Sequence, residues 1–127
     1  KNGLSNNYKY LGVVAYEDVM SLMFHSIAII NPSKFEGWSS SVEQAKSMGK
    51  KIILSNINVH REQNPKRGIY FNPNNYNKLT SIMINIWKNY NKRVENKFNK
   101  IAYKNLKPRL LKYAKNYQQI ILKTTQP

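Results

Sequence analysis

Residues 27–49 read IAIINPSKFEGWSSSVEQAKSMG, and this stretch decides the fold. It begins as an apolar run, turns around Pro32 and Gly37, and continues as a short helix that begins among serines. A strand that leads through a tight turn into a helix N-terminus leaves free backbone N–H groups at the turn, where the helix dipole favours negative charge. Glu36 and Glu43 lie in or beside this turn. Hydrogen-bond donors that can bind phosphate, next to hydrogen-bond acceptors that can bind hydroxyl groups, suit a nucleotide-sugar as the ligand.

Apolar runs alternate with helical patterns through the first 75 residues. The patterns predict strands over residues 8–14, 27–31, 51–55 and 68–71, helices over residues 16–24 and 39–48, and a polar loop over residues 56–67. Such alternation predicts an α/β fold, a Rossmann-like parallel sheet with helices on both faces and right-handed crossovers. Ligands bind these sheets at the carboxyl ends of the strands, where residues 31–41 fall.

The rest of the chain is predicted to be helical. One helix opens at Pro73, a second covers residues 94–103, and a last one begins at residues 105–108. The last helix is expected to bury Leu110, Leu111, Ala114, Tyr117, Ile120 and Ile121. The 127 residues fit a single domain, residues 1–127, with residues 94–127 as its C-terminal helices.

The composition indicates an anionic partner. Twenty-one Lys and Arg residues oppose six Asp and Glu residues, which gives a net charge of +15, and in the last third of the chain only Glu95 opposes the basic residues. There is no cysteine, and two histidines with scattered acids argue against a metal site. No apolar run approaches the roughly 20 residues that a membrane-spanning helix requires.

Residues 31–56, NPSKFEGWSSSVEQAKSMGKKIILSN, resemble the donor-binding signature of retaining glycosyltransferases of the GT-B fold, family four. That pattern runs strand, Pro-Ser, aromatic residue, Glu-Gly-aromatic residue, then a helix with a second Glu, small residues and Gly, then an apolar strand with a small polar end. Residues 59–63, VHREQ, are similar to the loop that follows in several members, and residues 113–117, YAKNY, are similar to their closing helix.

The resemblance implies transfer of a sugar from a nucleoside-diphosphate sugar to an acceptor hydroxyl, with retention and without a metal ion or another cofactor. It places such an enzyme in cell-envelope polysaccharide or glycolipid synthesis, in the cytoplasm or peripherally at the inner face of the membrane. Glu36 would be the catalytic residue that holds the donor sugar. The donor-binding residues implied are Gly37, Trp38, Ser39, Ser40, Glu43 and Gln44, with residues 15–17 near the base.

Two departures from the family pattern change these expectations. Seven residues separate the two glutamates of the family, and counting from Glu36 places Gln44 in the second position. An amide accepts hydrogen bonds without carrying charge, so either the site tolerates Gln44, or Glu43 compensates, or donor binding is weakened. The chain also resembles only the later part of a donor-binding domain. We therefore expect it to require an N-terminal GT-B domain for catalysis.

Other interpretations of the same residues stand beside this one. Ser40 and Glu43 have the spacing of a capping box, which favours a structural role for Glu43 over ligand binding. The lysine-rich C-terminal helices suit an anionic membrane surface, or a nucleic-acid-binding module whose tyrosines stack on bases. Those tyrosines fall largely on helical stripes, which favours core packing instead. A catalytically inactive remnant of the fold is the third alternative.

Overall fold

The structure is a computed structural model, and it describes residues 7–124. Its elements are, in chain order, α1 (Tyr16–His25), β1 (Ile29–Asn31), α2 (Ser40–Ser47), β2 (Ile52–Ser55), α3 (Asn58–Gln63), β3 (Gly68–Phe71), α4 (Tyr76–Lys88) and α5 (Lys92–Thr124). The three strands form a parallel sheet in the order β1-β2-β3. Ile53 lies opposite Ile30 on one side and Ile69 on the other.

Both faces of the sheet are covered by helices, as predicted. Side chains of successive strand residues point to opposite faces, so β2 supplies two separate cores. Ile52 and Leu54 pack with Met23 of α1 and Val42 and Ala45 of α2. On the other face, Ile53 packs with residues of β3 and α4, namely Phe71, Ile82 and Ile86. The predicted Rossmann-like α/β fold is therefore confirmed.

The strand predicted over residues 8–14 is wrong. The sheet of the described chain has three strands, and this segment does not join it. Tyr8, Tyr10 and Val13 are exposed, so no apolar burial stabilises an extended conformation there. Alternating apolar residues form a strand only where a neighbouring strand pairs with them and a core buries them. The segment over residues 8–14 has neither a paired strand nor a core against these side chains.

The polar loop predicted over residues 56–67 is also wrong, because it contains α3. The helix begins after Ile57 and ends at Asn64, whose φ of 39° lies in the left-handed region typical of a helix end. Its buried residues are polar, His60 and Gln63, which lie three positions apart and so share one face. The periodicity of apolar residues cannot predict a helix whose buried residues are polar and hydrogen-bonded.

The C-terminal region is one helix instead of the two that the sequence predicted. The helix α5 runs from Lys92 to Thr124 with Pro108 inside it. Proline removes one N–H donor from a helix, and here the helix continues through that defect. The buried side predicted for the last helix is wrong as well, because every residue from 107 to 124 is exposed. The helix packs on α2, and its residues that are at least partly buried are Glu95, Asn99, Ala102 and Leu106.

Candidate functional site

The turn between β1 and α2 is organised around one buried amide. Asn31, the last residue of β1, donates from Nδ2 to Ser39 Oγ at 2.9 Å and to Glu36 Oε1 at 3.3 Å. Its Oδ1 accepts from the backbone N–H of Ser33 at 3.2 Å. Asn31 and Ser39 are both buried. One side chain therefore joins the start of the turn, the carboxylate at its centre and the residue that precedes the next helix.

Glu36 is partly exposed at the carboxyl end of β1. The neighbouring Ser33 hydroxyl and the Asn31 amide favour its ionised form, and the nearby His60 adds a smaller contribution in the same direction. Together they hold the pKa of Glu36 below its ordinary value of 4.5. The side chain is thus a fixed, negatively charged acceptor at neutral pH, which is the chemistry needed to accept hydrogen bonds from hydroxyl groups.

The start of α2 and Glu36 are linked through Asn31, whose Nδ2 bonds both Glu36 Oε1 and the side chain of Ser39. Ser39 precedes the helix, and its side chain makes no capping hydrogen bond to α2. Its Oγ instead contacts Asn31 Nδ2 at 2.9 Å and Ser41 Oγ at 3.1 Å. Gly37, Trp38 and Ser40 are exposed around the same turn. An uncapped helix N-terminus combines free N–H donors with the positive end of the helix dipole, so it attracts anions.

The capping box predicted for Ser40 and Glu43 is not formed, because Ser40 is already the first helical residue. Glu43 Oε1 instead accepts from Lys46 Nζ at 2.9 Å and from Gln63 Nε2 at 3.1 Å. Glu43 is therefore neutralised by a neighbouring cation and held by α3. This arrangement uses one of its oxygens in contacts within the protein.

Gln44 lies on a different side of α2 from the sheet and faces a groove of about 480 Å³. The groove is formed by α1, α2 and α5, and its lining includes Tyr16, Met20, Glu43, Gln44, Tyr103 and Leu106. The sequence interpretation placed residues 15–17 near a nucleotide base and Gln44 near its ribose. The structure brings Tyr16 and Gln44 to one groove.

Sequence reasoning missed two residues beneath the turn, because they belong to α3. His60 is fully buried and lies against Ser55 at the end of β2, and Gln63 donates to the backbone oxygen of Ser39 at 2.8 Å. The signal that points to them is the spacing of two polar residues, three apart, on one helical turn. His25 is not part of the site. It ends α1 with Nδ1 2.8 Å from Ser21 O.

Within residues 7–124, no group of three or more His, Cys, Asp or Glu side chains is placed to hold a metal ion. Over the same residues, no helix combines the length and the apolar character needed to cross a membrane. The groups that converge at the turn are hydrogen-bond donors, the Glu36 carboxylate and the Asn31 amide. This set can bind a ligand that carries both anionic and hydroxyl groups.

Comparison with known proteins identifies the family. No curated protein and no solved structure matches the chain significantly. The family model described as glycosyl transferases group 1 matches residues 1–105, which include the sheet, the β1–α2 turn, Glu36 and Gln44. This match covers well over half of the chain and confirms the resemblance drawn from residues 31–56. The chain belongs to the glycosyl transferases group 1 family.

Proposed function

We propose that this chain forms the donor-binding part of a retaining glycosyltransferase and binds a nucleoside-diphosphate sugar at the carboxyl ends of its strands. Membership of the family supports sugar transfer. Binding of a nucleoside-diphosphate sugar is supported by one observation. An ionised Glu36, hydrogen-bonded to Asn31, shortly precedes the uncapped N-terminus of α2 in the chain. The diphosphate of such a ligand requires the backbone N–H groups, and its sugar requires the carboxylate of Glu36.

In this proposal the backbone from Gly37 to Ser40 binds the diphosphate, and Glu36 accepts hydrogen bonds from the hydroxyls of the donor sugar. Negative charge builds on the diphosphate as the bond to the sugar breaks. Preorganised N–H groups stabilise that charge without reorganising during the reaction, which is the largest single contribution in many enzymes. These donors and the helix dipole take the place that a cation would otherwise fill, so we propose a reaction without a metal ion.

Gln44 and Tyr16 line one groove between α1, α2 and α5, and we propose that the ribose and base of the donor lie there. Glu43 lines the same groove but is already bound by Lys46 and Gln63. Gln44 is therefore the better placed acceptor for ribose hydroxyls. As an amide it makes a weaker hydrogen bond than a carboxylate would.

We further propose that the complete enzyme includes an N-terminal GT-B domain and acts at the cytoplasmic face of an anionic membrane, in cell-envelope polysaccharide or glycolipid synthesis. The net charge of +15 supports an anionic surface as partner. The exposed end of α5 supports it too, because lysines alternate there with exposed apolar residues such as Leu110, Tyr113 and Ile120.

Calorimetric titration of the chain with UDP-glucose, GDP-mannose, UDP and GDP tests the donor site. We expect one nucleotide-sugar to bind at a single site from which its nucleoside diphosphate displaces it. Glu36→Gln should weaken the nucleotide-sugar about tenfold, the effect of losing a charged hydrogen bond, and leave the nucleoside diphosphate nearly unchanged. Glu62→Gln, an exposed change on α3, is the matched control. An equal loss for both ligands would contradict the role of Glu36.

Nucleic-acid binding is a second candidate, and one observation favours it. The sequence suggested that the C-terminal tyrosines pack in the core, but Tyr103, Tyr113 and Tyr117 are exposed on the lysine-rich helix. Tyr113 and Tyr117 stack on each other with ring centroids 6.4 Å apart. Exposed aromatic rings among lysines can stack on bases. Binding of a single-stranded oligonucleotide that falls steeply with salt, and that nucleoside diphosphate does not displace, would support this candidate.

A further inference from the structure

We propose that α3 positions the donor site, with His60 and Gln63 as positioning residues. Both side chains hold the turn between β1 and α2 from beneath, so that Glu36 and the first N–H groups of α2 keep the arrangement that a donor requires. The inference rests on the proposed function and extends it to two residues that do not touch the ligand. It also explains why a short polar helix lies directly under the turn.

His60 supports the first half of the turn through Ser55. Its Nδ1 lies 2.9 Å from the backbone oxygen of Ser55 and 3.2 Å from Ser55 Oγ. Because a carbonyl oxygen only accepts, Nδ1 carries the proton. The Ser55 hydroxyl in turn donates to the backbone oxygen of Ser33. A chain of hydrogen bonds thus runs from α3 through the end of β2 to Ser33, three residues before Glu36.

Gln63 supports the second half of the turn. Its Nε2 donates to the backbone oxygen of Ser39 at 2.8 Å and to Glu43 Oε1 at 3.1 Å. Lys46 of α2 also contacts Gln63, since its Nζ donates to the backbone oxygen of Gln63 at 2.7 Å. Gln63, the last residue of α3, is therefore tied to Ser39 just before α2, to Glu43 in its first turn and to Lys46 in its last turn. These bonds fix where the N-terminus of α2 points.

The buried atoms that these two residues leave unpaired argue against a role in packing alone. His60 is 0% exposed and Gln63 is 3% exposed, yet within residues 7–124 neither His60 Nε2 nor Gln63 Oε1 has a hydrogen-bond partner. A buried polar atom without a partner destabilises the fold, whereas an apolar side chain fills the same space without that cost. The contribution of the two polar side chains is therefore the hydrogen bonds made by His60 Nδ1 and Gln63 Nε2, and these bonds connect α3 to the turn.

Contacts with β3 hold α3 itself in place. The Tyr70 hydroxyl donates to the backbone oxygen of His60 at 3.1 Å, and the guanidinium of Arg61 lies 3.9 Å from the centroid of the Tyr70 ring. The helix is thereby attached to the sheet at the residue that begins the hydrogen-bond chain to Ser33. A binding group keeps its geometry when a rigid element supports it, and α3 provides that support.

Amide hydrogen exchange without ligand tests the positioning directly. The Ser33 amide, bonded to Asn31 Oδ1, reports on the first half of the turn, and the Glu43 amide, bonded to Ser39 O, reports on the second. We expect His60→Leu to speed exchange at Ser33 about tenfold, and Gln63→Met to do the same at Glu43, as for the loss of one hydrogen bond. The Ile52 amide at the opposite end of the sheet reports on global stability and should change less.

Two further variants separate positioning from folding. His60→Asn keeps an N–H donor close to the position of Nδ1 and should restore slow exchange at Ser33. His25→Leu removes the other histidine, which also bonds a backbone oxygen but lies at the end of α1, and should change neither reporter. If His60→Leu speeds exchange at Ile52 and Ser33 equally, or if His60→Asn fails to restore Ser33, the positioning role of His60 is wrong.

Binding completes the test. We expect His60→Leu to weaken the nucleotide-sugar that the chain binds by about tenfold, with His60→Asn close to the unaltered chain, because small displacements of a binding group cost large factors. Titration with pyrophosphate measures the N–H groups alone, and there Gln63→Met should have the larger effect. A chain that binds no nucleotide-sugar, but shows the expected exchange rates, overturns the proposed function and leaves the positioning of the turn supported. Equal affinity in His60→Leu and the unaltered chain overturns the positioning proposal.

Discussion

Arg67 and Glu95 form a two-point ion pair that joins α5 to the amino end of the sheet. Arg67 Nη1 donates to Glu95 Oε2 and Nη2 donates to Oε1, both at 2.8 Å. Lys51 Nζ lies 3.2 Å from the same Oε1. Lys51 and Arg67 directly precede β2 and β3, so this cluster lies at the end of the sheet opposite to the donor site. Stability and binding can therefore be altered separately.

Glu95→Gln is expected to lower the free energy of unfolding by about 3 kcal/mol, because it leaves the positive charge of Arg67 unpaired next to the buried side chain of residue 95. Glu95 is only 3% exposed, so water cannot readily take the place of the lost carboxylate. Urea denaturation measures the change. Glu62→Gln removes one carboxylate from the exposed face of α3 and should cost less than about 0.5 kcal/mol. Equal effects of the two substitutions would show that the ion pair contributes nothing specific.

The same ion pair predicts how stability depends on pH. Burial alone would raise the pKa of Glu95, but hydrogen bonds from Arg67 and Lys51 outweigh it and hold the pKa below its ordinary value of 4.5. The unfolded chain then binds a proton more readily than the folded one, so this stabilisation is complete above pH 4.5 and is lost as the pH falls through the lower, folded value. Denaturation of the unaltered chain and of Glu95→Gln at several pH values checks this. The difference between them should shrink in acid, and a constant difference would contradict it.

Gly49→Ala should destabilise the chain by about 3 kcal/mol, since it combines backbone strain with a steric clash. Gly49 has a φ of +71°, and a Cβ there would lie 2.6 Å from the backbone oxygen of Phe98 and 2.9 Å from Ala102 Cβ. Gly12→Ala is a matched control, because Gly12 has a φ of +66° but nothing within 4 Å of an added Cβ. It should cost about 1 kcal/mol, from strain alone. Thermal unfolding of both variants separates the two contributions.

The sequence predicted the elements whose apolar residues are buried and missed those held by polar contacts. The strand that ends at Ser55 and the helix that contains Val42 and Ala45 were predictable because continuous or periodic apolar residues mark burial in a sheet that is covered on both faces. In α3 the buried residues are His60 and Gln63, so the same rule assigned a loop. Val13 shows the opposite failure, an apolar residue that nothing covers.

The candidate site was predictable in composition but not in geometry. The place of Glu36 in the turn and of Gln44 in the helix follow from the order of residues, whereas the uncapped start of α2 does not, because the spacing of Ser40 and Glu43 predicted a capping box. The contact of Glu43 with α3 does not, because spacing suggested Ser40 as its partner, whereas the structure adds Gln63, twenty residues away in the chain. Local spacing describes contacts within one element, and this contact joins two elements that only the folded sheet brings together.

Vesicle binding tests the proposed membrane contact of α5. We expect the chain to bind vesicles that contain phosphatidylglycerol, and to bind less as salt rises, because exposed charges are screened. Reversal of Lys112, Lys115 and Lys123 to glutamate should weaken binding by about 1 kcal/mol for each original lysine. Reversal of Lys9, Lys34 and Lys78, which are exposed elsewhere, changes net charge equally and should have a smaller effect. Binding that does not depend on salt would indicate an apolar contact and contradict the electrostatic one.

Gln44→Glu should increase affinity for the nucleotide-sugar roughly fivefold, because a charged acceptor makes a hydrogen bond about 1 kcal/mol stronger than an amide does. The new charge would stand next to Glu43, but Lys46 Nζ lies 2.9 Å from Glu43 Oε1 and offsets the repulsion. The groove that Gln44 shares with Tyr16 leaves room for a ribose. Calorimetric titration with UDP-glucose and GDP-mannose measures the change.

Two control substitutions decide which side chain accepts the ribose. Gln44→Ala should weaken binding if Gln44 accepts, and Glu43→Gln should then have little effect, since Glu43 is already held by Lys46 and Gln63. The reverse result, a loss with Glu43→Gln and none with Gln44→Ala, would assign the ribose to Glu43. That outcome would assign the ribose to Glu43 Oε2, because Lys46 and Gln63 both bond Oε1.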